Sequence, residues 1–258
     1  IFTLPTEAEA GGLASGTESY YSFDYGNVHL VCLDSDQHDE SEEMATWLTN
    51  DLESHDGTWI IAFWHHPPYT KGSHDSDFPL EPEHGDMRSI VLPELEKAGV
   101  DLVLSGHSHS YERSFLLDGH YGLSTTLQRS MKIDAGNGNT GKGGDGSYVK
   151  PTLRKGKHEG AVYIVAGSSG KISGGALNHP AMLDCRNELG SVVLDIDANK
   201  LVANFIDFQG QVRDRFVIEK GQKRPLQRDE PLISLGAGGS RNGWGASSIR
   251  PSCRPNMT

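Results

Sequence analysis

The segment GHSHSYERS, residues 106–114, sets His107 and His109 one residue apart directly after the apolar run GVDLVLS. A second apolar run, TWIIAFW (58–64), ends as abruptly in His65 and His66. Seven of the twelve histidines fall between positions 55 and 109. A neutral imidazole is the commonest transition-metal ligand, and its second nitrogen needs a partner that holds the ring. In an extended segment positions i and i+2 face the same way, so His107 and His109 are expected to point into one cavity. A turn at the strand end would let them diverge toward two neighbouring ions. A lone strand-end histidine is ordinarily a hydrogen-bonded structural residue. An HxH pair with His65 on the neighbouring element makes all three candidate metal ligands.

The elements that must position these rings alternate. NVHLVCLDS (27–35), TWIIAFW (58–64) and VDLVLSG (100–106) read as buried strands. Between them, Ser41 can cap a helix whose first turn holds Glu42 and Glu43. Met44, Trp47, Leu48 and Leu52 fall on one face of that helix. A second helix is expected over 87–98, with Gly99 as its stop and Pro93 either kinking it or opening its main part. This is the α/β pattern, whose ligands sit at the carboxyl ends of the strands, where the histidines stand. Past residue 120 the glycine-rich stretch 134–148 lacks the GxxxxGK[ST] spacing of a phosphate cradle. GAVYIVAGSSG, SVVLDID, LVANFID and VRDRFVIE read as further strands, the last three as a meander. Residues 1–220 are expected to form one domain, with 221–258 a disordered or loosely packed tail.

A formal charge of -12 argues against a nucleic-acid backbone or an anionic membrane as partner. No stretch approaches the length of a membrane span. Cys32, Cys185 and Cys253 are too few and too scattered for a disulfide framework or a CxxC zinc site and leave room for one disulfide and a free thiol. IFTLPTEAEAGG at the start is neither a signal nor a transit peptide and reads as the middle of a longer chain. The HxH pattern also occurs in cupins and amidohydrolases, but Glu112 comes too early for the first and the eight-fold repeats of the second are missing.

GHSHSYERS resembles the GHxHxYER motif of purple acid phosphatases, within the calcineurin-like metallophosphoesterases. FWHHPPYT is similar to their H-x-P-x-Y segment, and YYSFDYGNVHLVCLDSD to their strand preceding the helical layer. The resemblance covers about residues 4–220 and implies an αββα sandwich that hydrolyses phosphate monoesters with two metal ions, Fe, Zn or Mn. It implies that His65 and His107 bind one ion and His109 the other, and that His74, nine residues after His65, faces the leaving group. It places His66 beside the ions and reads Asp34 as structural. Tyr111, Glu112 and Arg113 become a ring and a buried ion pair bracing the HxH turn. His29, His120, His158 and His179 are expected to be strand or loop residues with ordinary partners.

Three further motifs of the family, which supply the bridging carboxylate and the remaining ligands, do not occur here. The chain therefore resembles the carboxyl-terminal part of such an enzyme. Residues 1–258 alone are expected to bind at most one metal weakly, to aggregate and to lack appreciable turnover. The alternative is a non-catalytic remnant or metal-binding module that keeps the histidines. An extracytoplasmic location rests on the resemblance only.

Overall fold

Short apolar runs separated by turn residues give short strands, and the computed structural model, which describes residues 3–36, 41–224 and 253, contains thirteen of them. Strand β1 (Tyr21–Tyr25) turns at Gly26 into β2 (Val28–Cys32), followed by α1 (Ser41–Ser54) and β3 (Trp59–Phe63). Helix α2 (Pro82–Asp86), a π-helical turn (Met87–Val91) and α3 (Leu92–Ala98) lead to β4 (Leu102–Ser105). Then come β5 (Tyr111–Ser114), β6 (Leu116–Leu117), β7 (Lys132–Asp134), β8 (Tyr148–Lys150), β9 (Val162–Ala166) and β10 (Met182–Arg186). The chain closes with β11 (Gly190–Asp197), β12 (Lys200–Asp207) and β13 (Val212–Lys220).

Seven strands form one sheet in the order β1-β2-β3-β4-β9-β5-β10, in which β2, β3, β4 and β9 run parallel. Four form a second sheet, β11-β12-β13-β8. Side chains alternate across a strand, and β3 shows the consequence. Its Ile60 and Ala62 pack with Met44, Leu48 and Leu52 of α1 and Leu95 of α3, while Trp59 and Ile61 meet Leu201, Phe205 and Ile218 of the second sheet. Burying each such side chain contributes roughly 1.5–3 kcal/mol. The layers are helix, sheet and sheet, and the described helices pack with one another on one side. This is the expected mixed α/β sandwich, with three of the four αββα layers present among the described residues.

The helix expected over 87–98 is part of a longer helical stretch that begins at Pro82 and is interrupted by the π turn. Pro93 explains the interruption: it has no N–H for the carbonyl four residues back, and its ring crowds that carbonyl. It stands in the first turn of α3, where the missing donor costs least. Gly99 ends the helix at φ 92°, and Val100 N–H donates to Leu95 O at 3.0 Å. A Cβ at Gly99 would lie 2.7 Å from the Gly156 nitrogen. Gly99→Ala is therefore expected to lower stability by at least about 1–2 kcal/mol, the left-handed penalty alone, read as a lower urea midpoint with unchanged slope.

Of the expected tail, residues 225–258 apart from Cys253 lie outside the described residues, and so does its expected disorder. Cys253 is joined to Cys185 of β10 by a disulfide, and Cys32 is free. The side chain of Ser41, the expected cap of α1, also lies outside the described residues. Strands β1, β5 and β10 escape the apolar-run reading because each mixes polar and apolar residues, as in YERS and MLDCR.

Candidate metal site

Strands β3 and β4 lie side by side in parallel, and Gly106 N–H donates to His65 O at 3.0 Å just beyond their carboxyl ends. That backbone tie brings the two histidine segments together. His65 Nε2 lies 3.0 Å from His107 Nδ1, and the His66 ring centroid is 4.4 Å from that of His107. Ligand atoms of His65, His66 and His107 all lie within 4.8 Å of one another.

The segment bearing His107 is not extended. His107 has φ 59°, and tight bonds run from Ser108 N to Gly106 O (2.7 Å) and from Ser110 N to Ser108 O (2.8 Å). The i, i+2 alternation expected of a strand therefore does not hold here. The His107 ring turns toward His65, whereas His109 Nδ1 lies 3.0 Å from Ser173 Oγ, and His109 belongs to none of the ligand groups found among the described residues.

His74 reaches the same place by a different route. Ser108 Oγ accepts from His74 N at 3.1 Å and lies 2.9 Å from Thr70 Oγ1. Buried Glu112 accepts from Thr70 Oγ1 (2.5 Å), Ser110 Oγ (2.9 Å) and Lys71 N (3.2 Å). The residues just after His107 thus hold the loop at 70–74, and the His74 centroid comes to 3.8 Å from that of His107. Glu81 then bridges two rings, His74 Nδ1 at 2.9 Å and His84 Nε2 at 3.2 Å, and His84 Nδ1 lies 2.6 Å from Pro67 O. Sequence reading passed over Glu81 and His84, although their i, i+3 spacing in EPEHGD was a usable signal.

Burial favours the neutral form of three of these rings, His66, His84 and His107. Burial, then repulsion from His66, His74, His84 and His65, pushes His107 down to about 4. Burial and His65 also lower His66. Burial favours the protonated form of Glu81, but bonds from His74 and His84 outweigh it and hold the carboxyl low. Neutral imidazoles beside an ionised carboxylate are the donor set that a transition-metal ion takes.

Two expectations about the surroundings need correcting. Glu112 and Arg113 form no ion pair with each other, because adjacent strand residues point to opposite faces. Arg113 instead forms a bidentate pair with Asp214 of β13 (2.5 and 3.0 Å), where Tyr111 Oη also donates at 2.7 Å. His120 and His179 also depart from that expectation: both are buried beside Tyr69, and among the described residues neither His120 nitrogen nor His179 Nε2 has a hydrogen-bond partner, while His179 Nδ1 accepts from Ala181 N at 3.2 Å. Burial holds them neutral, at about 4 and about 3.

Residues 3–111 match the profile of the calcineurin-like phosphoesterase family. Purple acid phosphatase 15 of Arabidopsis thaliana is 37% identical over 106 residues, which make up 39% of this chain and 19% of that protein. Purple acid phosphatase 18 of the same plant is 34% identical over 104 residues, 39% of this chain and 23% of that protein. The chain thus spans about a fifth of the length of these curated relatives. A purple acid phosphatase isolated from yellow lupin (Lupinus luteus) seeds shares the fold with a TM-score of 0.61 at 21% identity, over 81% of this chain and 34% of that one.

Proposed function

We propose that this chain, a relative of the calcineurin-like phosphoesterases with the fold of a purple acid phosphatase, carries the histidine edge of a binuclear metal site that hydrolyses phosphate monoesters. The observation behind this reading is the 3.0 Å approach of His65 Nε2 to His107 Nδ1 at the carboxyl edge of the sheet, with His74 packed against His107. Two nitrogens sharing one tetrahedral ion at ~2.05 Å stand ~3.3 Å apart, so the pair fits a single ion with little movement. His65 and His107 would hold that ion, with His66 beside it, and His109 would have to leave Ser173 to serve a second. Bound there, divalent ions would supply Lewis acidity toward phosphate oxygens and a lowered pKa for the attacking water.

The remaining work falls to the chain's own residues. Glu81 accepts from His74 Nδ1, which fixes the ring; in the doubly protonated imidazolium, Nε2–H would give its proton to the oxygen of a departing alcohol. Ser108 and Glu112 hold the loop that delivers it. In the longest natural polypeptide containing these residues, His74→Ala should therefore slow hydrolysis of alkyl phosphates at least about 10²-fold, the usual worth of a general acid. Aryl phosphates, whose alcohols leave unaided, should lose far less. Equal losses on both would reduce His74 to positioning, and no loss would remove it from the site. Metal uptake without hydrolysis of either ester would favour a metal-binding module, the reading that the position of His109 supports.

A further inference from the structure

At the opposite, amino-terminal edge of the large sheet a second histidine–carboxylate cluster has no part in this chemistry. Asp24 and His29 are directly paired across β1 and β2, and His55 follows α1. His29 is fully buried, with Nδ1 2.8 Å from Asp24 Oδ1 and Nε2 2.8 Å from Asp51 Oδ2. The His55 ring stacks on His29 at 4.1 Å, and its Nδ1 lies 3.5 Å from the same Asp24 oxygen. Asp24, His29 and His55 offer three ligand atoms within 4.8 Å of one another.

We propose that Asp24, His29 and His55 form a second site for a divalent transition-metal ion such as zinc, separate from the His65–His107 cluster. The observed separations of 2.8 and 3.5 Å bracket the ~3.3 Å between two ligands of a tetrahedral zinc, and the His55 ring, stacked at 21° to His29, must tilt out of the stack to aim Nδ1 at the same ion. The surroundings have the form of a supported site. A ligating histidine characteristically gives its other nitrogen to a carboxylate, and here Asp51, itself fully buried, takes His29 Nε2. Ser22 Oγ and Leu13 N, both at 2.7 Å, fix Asp51 in turn. Gly11 lies so close that a Cβ there would come within 2.4 Å of Asp24 Oδ2, which confines the carboxylate. The Asp24 side chain is 40% exposed, so the ion and a fourth, solvent ligand have access.

Binding has a definite proton balance. His29 lies between two carboxylates, each 2.8 Å from a ring nitrogen, so both nitrogens carry protons and the one on Nδ1 leaves when metal binds there. His55 stays neutral, its pKa lowered to about 4 chiefly by burial. Its Nε2 now accepts from Gly57 N at 2.8 Å, so ligation through Nδ1 moves the ring proton to Nε2 and gives up that bond.

The test is calorimetric titration of zinc into the chain carrying His65→Gln and His107→Asn, which silence the other cluster. One zinc per chain is expected, with about one proton released, read from buffers of different ionisation enthalpy. Asp24→Asn or His55→Gln added to that background should each weaken binding at least 10-fold. Should either variant fail to fold, cobalt(II) added to the silenced background reports directly, through the visible bands of a tetrahedral nitrogen–oxygen set. No uptake by the background, or uptake that both substitutions leave unchanged, would overturn the proposal. The cluster would then be a metal-free Asp–His–Asp clamp.

Discussion

Replacing His107 is expected to remove turnover and bound metal together, because its ring is the meeting point of the carboxyl-edge cluster. His65, His66 and His74 all lie with ring centroids within 4.9 Å of it. Substituting a residue that only holds a metal ligand typically costs 10–100-fold, and loss of a ligand should exceed that. The left-handed backbone at His107 complicates an alanine substitution, because alanine is found in that conformation less readily than histidine. Asparagine tolerates that conformation, so His107→Asn isolates the loss of the imidazole. Steady-state hydrolysis and metal content, measured on the same preparation, check the result. Lost activity at full metal occupancy would mean that His107 acts on substrate directly and not through the ion.

The carboxyl edge was readable because its signal is local: an apolar run long enough for one strand, ending in histidine, repeated on a neighbouring strand. What the sequence hid depends on backbone turns and on pairings between distant positions. The positive φ of His107 undoes the alternation that would have joined it to His109, and HSH carries no mark of that turn. Glu81 meets His74 only because the loop between them folds back, and Asp51 meets His29 only because α1 lies over β2. The partner of Arg113 is Asp214, more than a hundred residues away on the other sheet, and an adjacent glutamate made a misleading substitute. Alternation along β5 would have shown that Glu112 and Arg113 face opposite ways, had YERS been read as a strand. His29 was assigned ordinary partners because a histidine inside an apolar strand looks the same whether it meets one carboxylate or two.

The largest stability effect should come from a group with no place in the chemistry. Asp101, immediately before β4, is fully buried, and so are its two partners, Lys150 at the end of β8 and Lys220 at the end of β13. Asp101 Oδ1 lies 2.6 Å from Lys150 Nζ and 2.9 Å from Lys220 Nζ, and Oδ2 accepts from Ile60 N at 2.9 Å. Carbonyls complete the shell: Val100 O for Lys150 at 2.8 Å and Thr58 O for Lys220 at 2.6 Å. Two ammonium groups thus share one carboxylate where the two sheets meet. Removing one partner of a buried pair costs about 3–5 kcal/mol, and Asp101→Ala strands two cations at once, so its loss should reach at least the top of that range. Burial already lowers the Lys220 pKa, with repulsion from Lys150 adding to it. Between that lowered value and the unfolded value of about 10.4 the unfolded chain binds more protons, so stability rises with pH. Loss of the Asp101 charge lowers Lys220 further in the variant, so the variant starts to gain stability at lower pH, and the deficit of Asp101→Ala should shrink as pH climbs toward the Lys220 value of the unsubstituted protein. Lys220→Met should be far milder, since it leaves a one-to-one pair of Asp101 with Lys150. Urea denaturation of the three proteins across pH decides the matter, and a deficit below about 1 kcal/mol for Asp101→Ala, the range of an exposed pair, would show that the lysines are solvated and the triad does not join the sheets.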